Sequence, residues 1–119
     1  MSNNELKQVN ADIIFFFLSV VTSFTSFFII NEKKKSILNI PHLNARNANS
    51  LYRKNRLLIV IVALYFFLNA YYSLKRDLQK GNDDGVIHDD ILLLISTGLS
   101  FIAALAYLPL GNSNVIIKE

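Results

Sequence analysis

Three long apolar blocks without a single charged residue dominate this sequence. They cover residues 13–30, 57–74 and 91–110. An α-helix rises 1.5 Å per residue, so each block would span about 27–30 Å, which is the thickness of the hydrocarbon core of a bilayer. Transmembrane strands would be about 10 residues long with alternating polarity, and the blocks show no such alternation. We therefore predict three transmembrane helices.

The composition also favours a lipid bilayer as the surroundings of this chain. Charged residues make up 18% of the chain, against about 25% in an ordinary soluble domain. The first block has no polar face over residues 13–21, so in water it would expose a large apolar patch. It also lacks a small-residue cleavage site and follows a segment with one lysine, so we expect an uncleaved span rather than a signal peptide.

The predicted fold class is therefore all-α, an integral membrane protein with three transmembrane helices in an up-down-up bundle. Residues 1–119 would form a single membrane domain. The predicted connections are a basic loop over residues 31–56, an acidic hairpin over residues 75–90 and a short tail over residues 111–119.

The distribution of positive charge predicts the orientation. Seven of the twelve Lys and Arg residues lie in loop 31–56, and such a bias marks the cytoplasmic side. We expect a multi-pass protein of the cell (inner) membrane, with the N-terminus outside and the C-terminus in the cytoplasm. The net charge of +3 is then explained by contact with anionic lipid headgroups. We expect no nucleic-acid partner. The predicted headgroup contacts are Lys33, Lys34, Lys35, Arg53, Lys54 and Arg56.

Local signals predict where the helices begin and end. Asp12 and Asp90 are expected as N-caps of the first and third helices, and Pro109 with Gly111 as the end of the third. Residues 43–56 read either as an interfacial amphipathic helix or as an extension of the second span. We favour the extension, because no breaker separates Asn44 from residue 57.

Mild polar residues inside the spans predict a seam of helix packing. Small hydroxylated faces let helices approach closely and form hydrogen bonds between them. Asn69 should lie level with such faces on the first and third spans. The seam serves either packing within one chain or an interface between protomers. Its predicted members are Ser19, Thr22, Ser23, Ser26, Asn69, Ser96, Thr97 and Ser100.

The sequence offers little for catalysis. The spans contain no ionisable residue, although such residues usually mark transport or proton relay in membranes, and the chain has no cysteine. The acidic run of residues 83–90 matches no calcium loop. A lipid kinase of the bacterial diacylglycerol type has a similar length, but here no Glu occurs between Glu32 and Glu119. We therefore expect no enzyme, no cofactor and no metal site.

The leading functional hypothesis is a small membrane protein that acts by interaction, as an accessory or regulatory subunit of a membrane complex. Its expected partner is another membrane protein or a second copy of itself. In length, three spans and orientation the chain also resembles phage holins of the three-span type, which implies self-assembly and permeabilisation. It lacks the charged C-terminal tail common in them, and small bacteriocin-immunity proteins share its basic multi-span pattern.

Overall fold

The computed structural model of the chain describes residues 3–108, and in this range its regular structure is entirely helical. The helices are α1 (Asn3–Ile37), α2 (Ala45–Lys80) and α3 (Asp84–Ala106). All three are long and apolar enough to cross a membrane, and only 6–11% of the apolar window of each is buried. Such exposed apolar surface requires lipid as its solvent. The chain is a small multi-pass membrane protein, and the predicted all-α fold class with three membrane-length helices is confirmed.

The helices extend well beyond the apolar blocks. At 1.5 Å per residue, α1 and α2 are each about 50 Å long, so both project past the hydrocarbon core. Most of the segment predicted as the basic loop is therefore helical, and the connection itself is residues 38–44. Of the segment 43–56, residues 45–56 belong to α2 and continue into the second apolar block without a break, which confirms the extension.

Two predicted caps are wrong. Asp12 lies within α1, which begins nine residues earlier at Asn3. Asp90 lies within α3, whose N-cap is Asp83, and the Asp83 carboxylate accepts a hydrogen bond from the main-chain N–H of Val86. An earlier Asp–Asp–Gly turn thus supplies the cap, because an N-cap needs an extended residue just before the first turn. The end predicted at Pro109 and Gly111 lies outside the described residues.

The α1–α2 connection is closed by a helix-capping turn. Asn39 adopts a left-handed conformation with φ of 58°. Its N–H donates to the carbonyl of Ser36, and the N–H of Ile40 donates to the carbonyl of Lys35. This pair of bonds is a Schellman motif, in which carbonyls of the last helical turn accept hydrogen bonds that the helix itself cannot supply. After it, the Asn44 side chain caps α2 by accepting from the N–H of Asn47 at 2.8 Å.

The end of α2 has the same capping motif, with glycine as the left-handed residue. Gly81 has φ of 67°, a conformation that glycine adopts without steric cost. The N–H groups of Gly81 and Asn82 donate to the carbonyls of Leu78 and Asp77. The predicted hairpin over residues 75–90 is therefore helical except at residues 81–83.

The chain forms two compact units, divided within α2 after Ile59. In the first unit, α1 and the start of α2 bury Thr22 and Ile29, and Ala48 and Asn55. Each pair is seven residues apart, the repeat of two helices that pack along a narrow seam.

The second unit, Val60–Tyr107, is closed by small residues and aromatic rings. Ala70 of α2 and Ala104 of α3 are buried. The rings of Phe67 and Phe101 stack with centroids 6.1 Å apart. A Cβ placed on Gly98 would lie 3.2 Å from Cε1 of Phe67, so glycine at this position makes room for the ring.

Candidate functional site

A buried polar contact joins α1 to α2 beside one end of the apolar blocks. The Asn55 side-chain amide donates to the Ser26 hydroxyl oxygen at 2.9 Å and to the main-chain carbonyl of Thr22 at 3.3 Å. The Ser26 hydroxyl in turn donates to the Thr22 carbonyl at 2.9 Å. Asn55 is only 5% exposed. Since an unpaired amide would be costly to bury, this network fixes how the two helices are aligned.

The residues of the predicted polar stripe of α1 differ in burial and in their hydrogen bonds. Thr22 and Ser26 lie on the side that meets Asn55, and the Thr22 hydroxyl donates to the carbonyl of Ser19. Ser23 is exposed and Ser19 half-buried. The hydroxyl of Ser23 also donates to the carbonyl of Ser19. Only half of the stripe therefore serves the α1–α2 contact.

The Asn55 contact offsets the apolar edges of the two helices. Ser26 lies four residues before the end of the first apolar block, whereas Asn55 lies two residues before the start of the second. Because these two residues touch, the edges differ in level by about six residues, or about 9 Å along the helices. The short closed turn after Ile37 sets this register, because it leaves no slack with which the edges could align.

Ser19 and Ser23, the two stripe residues that do not bond Asn55, line a shallow groove on α1. Its volume is about 470 Å³. Phe16, Phe24 and Phe27 are 65–71% exposed and form its walls, while the two serines are four residues apart and form its floor. The lining residues are Phe16, Ser19, Val20, Ser23, Phe24 and Phe27.

The predicted seam residues of the second unit are more exposed than those of the first. Ser96 and Ser100 are exposed on α3, and Asn69 of α2 is half-buried. The Thr97 hydroxyl donates to the carbonyls of Leu93 and Leu94 in its own helix. Whether Asn69 belongs to a seam with α3 stays a prediction.

The six predicted headgroup contacts lie on helices rather than in a loop. Lys33, Lys34 and Lys35 occupy the end of α1, and Arg53, Lys54 and Arg56 lie in α2. Lys35 pairs with the buried Glu32, with 3.4 Å between the ammonium nitrogen and the carboxylate oxygen. Helical backbone holds the other five at fixed positions around the α1–α2 contact.

Acidic residues meet beside the α2–α3 connection, just outside the apolar blocks. The Asp77 carboxylate accepts from the side-chain amide of Asn82 at 2.9 Å. The pKa of Asp90 is raised, first because its carboxyl hydrogen-bonds with Asp77, and then by loss of solvent and by the negative charge of Asp77. Arg76 lowers it in part. Over residues 3–108, no three His, Asp or Glu side chains come together in a way that could hold a metal ion.

Comparison with known protein families, curated proteins and solved structures finds no match to this chain. Its interpretation therefore rests on its own contacts.

Sequence reasoning missed the residue that organises the first unit. Asn55 lies two residues outside the second apolar block, within the predicted basic loop of residues 31–56. One signal was present, because Asn55 is seven residues from Ala48 and from Val62, and all three are buried. A heptad spacing that continues through a polar residue indicates a helix interface that extends past the membrane edge.

Proposed function

We propose that this membrane protein acts by interaction inside the bilayer, as an accessory or regulatory subunit that binds a transmembrane helix of a partner. The groove on α1 is the observation that carries the proposal. All six lining residues belong to α1 and five of them are exposed, so the groove is open to a partner helix.

The chemistry of the groove suits a helix better than a lipid chain. Ser19 and Ser23 form a small-xxx-small pair, which allows two helix backbones to approach closely. The Ser23 hydroxyl already donates to the carbonyl of Ser19. An apolar partner helix could therefore bury this hydroxyl without leaving its donor unpaired. The phenylalanine walls offer large rigid contact surfaces at low entropic cost.

The proposed setting is the cell membrane, with the N-terminus outside and the basic ends of α1 and α2 in the cytoplasm. Seven Lys and Arg residues over residues 31–56 support that orientation through the positive-inside bias. In this arrangement the Asn55 contact lies toward the cytoplasmic leaflet. A partner helix in the groove would face the middle of the first apolar block.

Co-purification in mild detergent tests the proposal. A chain tagged at one end is extracted from its own host, and the membrane proteins that elute with it are identified by mass spectrometry. Ser19→Leu with Ser23→Leu fills the floor of the groove and should remove a specific partner. Phe17→Leu is the control, because Phe17 is 66% exposed but does not line the groove. Retention of every companion protein by the groove variant contradicts the proposal.

Self-assembly is the second candidate, and the exposed serines of α3 favour it. Ser96 and Ser100 form another small-xxx-small pair on an exposed face. A protein with two different adhesive faces can join copies head to tail, which produces rings or open assemblies. Dye leakage from vesicles containing the purified chain alone would support this holin-like function. Tight vesicles, together with a stoichiometric partner, would support the accessory function instead.

A further inference from the structure

A small cavity opens between the end of α1 and the start of α2. Its volume is about 210 Å³. It combines two cationic side chains, a phenol, a serine and two isoleucines. The lining residues are Ser26, Ile29, Ile30, Lys33, Tyr52 and Arg56.

The polar side chains of this cavity match a phosphate group. Arg56 presents a planar guanidinium that binds phosphate through paired hydrogen bonds, and Lys33 supplies a second positive charge. The Tyr52 hydroxyl adds a neutral donor. All three lie on helical backbone, two on α2 and one on α1, so their relative positions are set by the same register that the Asn55 contact fixes.

The depth of the cavity matches the boundary between headgroups and acyl chains. Ile30 is the last residue of the first apolar block, and Lys33 lies one turn beyond it. The offset of the apolar edges puts Arg56 beside the last turns of that block rather than past its end. A phosphate at this depth would lie above an apolar wall and beside two cationic side chains.

We propose that this cavity binds the phosphate of one anionic phospholipid, with the start of an acyl chain against Ile29 and Ile30. The apolar wall and the depth select a lipid over free phosphate, which gains nothing from two isoleucines. The positive charge selects a headgroup with net negative charge over a zwitterionic one. This is a defined site, distinct from the general attraction of a basic flank to an anionic leaflet.

Lipid binding to the full chain in mild detergent tests the site. The probes are phosphatidylglycerol, phosphatidylcholine and inorganic phosphate, and bound lipid is counted by native mass spectrometry. We expect one tightly bound phosphatidylglycerol. Lys33→Gln with Arg56→Gln should weaken it about tenfold or more, since bonds to charged groups are worth at least that ratio. The matched control is Lys34→Gln with Lys54→Gln, which removes the same charge from exposed positions outside the cavity.

Each alternative outcome overturns the site. An equal loss in the control variant would mean diffuse surface attraction. Equal binding of phosphatidylcholine would mean that charge is not selected, and displacement by millimolar inorganic phosphate would mean a free-anion site. If the double variant does not fold, Tyr52→Phe provides a second test, because it keeps both charges and should preserve the fold. It should weaken phosphatidylglycerol about threefold, the ratio for one neutral hydrogen bond, and unchanged binding would contradict the proposal.

Discussion

The side-chain amide of Asn55 lies 2.9 Å from the hydroxyl oxygen of Ser26, across the contact between α1 and α2. Twenty-nine residues separate the two in sequence. Their bond sits where one helix is still apolar and the other has turned basic. It couples the register of the first helix pair to one polar side chain, so the alignment of the pair depends on Asn55.

Replacement of Asn55 by leucine should weaken the α1–α2 contact. The variant loses two hydrogen bonds, and we expect a loss of about 1–2 kcal/mol in the free energy of unfolding. Unfolding in mixed detergent micelles, followed by circular dichroism, measures it. Combination with Ser26→Ala should cost less than the sum of the two single changes. Asn47→Leu, at an exposed position, serves as the control, and an equal effect there would refute the assigned role.

Replacement of Gly98 by valine should destabilise the α2–α3 unit. The added side chain would overlap the ring of Phe67, which already lies 3.2 Å from a Cβ at that position. Overpacking of this kind costs about 1–3 kcal/mol. Ser96→Val on the exposed face should be close to neutral. Phe67→Leu should recover part of the loss in the double variant, and if it recovers none, the ring is not the obstacle.

The acidic end of the α2–α3 hairpin should be more stable in acid than at neutral pH. The raised pKa of Asp90 means that the folded chain holds this proton more tightly than the unfolded chain does. The resulting stabilisation is complete below the ordinary pKa of 3.8 and is lost as the pH rises through the raised value. Thermal unfolding between about pH 3 and about pH 7 measures it.

Asp90→Asn should remove that pH dependence, because the asparagine side chain has no titrating proton. Asp89→Asn changes the neighbouring exposed carboxylate and should leave most of the pH dependence in place. If both variants respond to pH as the parent does, the Asp77–Asp90 pair is not the origin of the effect.

Single-cysteine labelling should establish the orientation, because the chain has no cysteine of its own. Asn47→Cys and Asn82→Cys introduce one thiol each, at exposed positions close to the two helix connections. A membrane-impermeant maleimide added to intact cells should label position 82 and reach position 47 only after lysis. The reverse pattern would invert the proposed topology.

Periodicity and charge were sufficient to predict the three helices. A continuous apolar run of 18 to 20 residues in a bilayer is expected to form a helix, because a helix pairs the backbone N–H and C=O groups within the segment. The helix ends were harder, because α1 and α2 continue through polar residues to the capping turns at Asn39 and Gly81. No hydropathy signal marks those ends. They are set by which residue adopts a left-handed conformation.

The candidate site could be predicted only in part. The serine face of α1 followed from helical spacing, and Thr22 and Ser26 do meet a side-chain amide. The expectation placed Asn69 level with Ser19, Ser96 and Thr97, and it stays a prediction. The spacing gave no sign that the short turn brings Asn55 to Thr22 and Ser26. The register between two helices depends on where the turn between them begins and ends. The positions of the apolar blocks alone do not give those boundaries.

The offset between the apolar edges of α1 and α2 has a consequence for the surrounding lipid. A flat leaflet that ends level with Ile30 would bring about six residues of α2 into the hydrocarbon, among them the cations Arg53, Lys54 and Arg56. A leaflet that ends level with Leu57 would leave the last apolar turns of α1 in the headgroups. Hydrophobic mismatch of this kind is relieved by thinning of the bilayer or by tilt of the helices. The first helix pair should therefore be most stable in bilayers with short acyl chains.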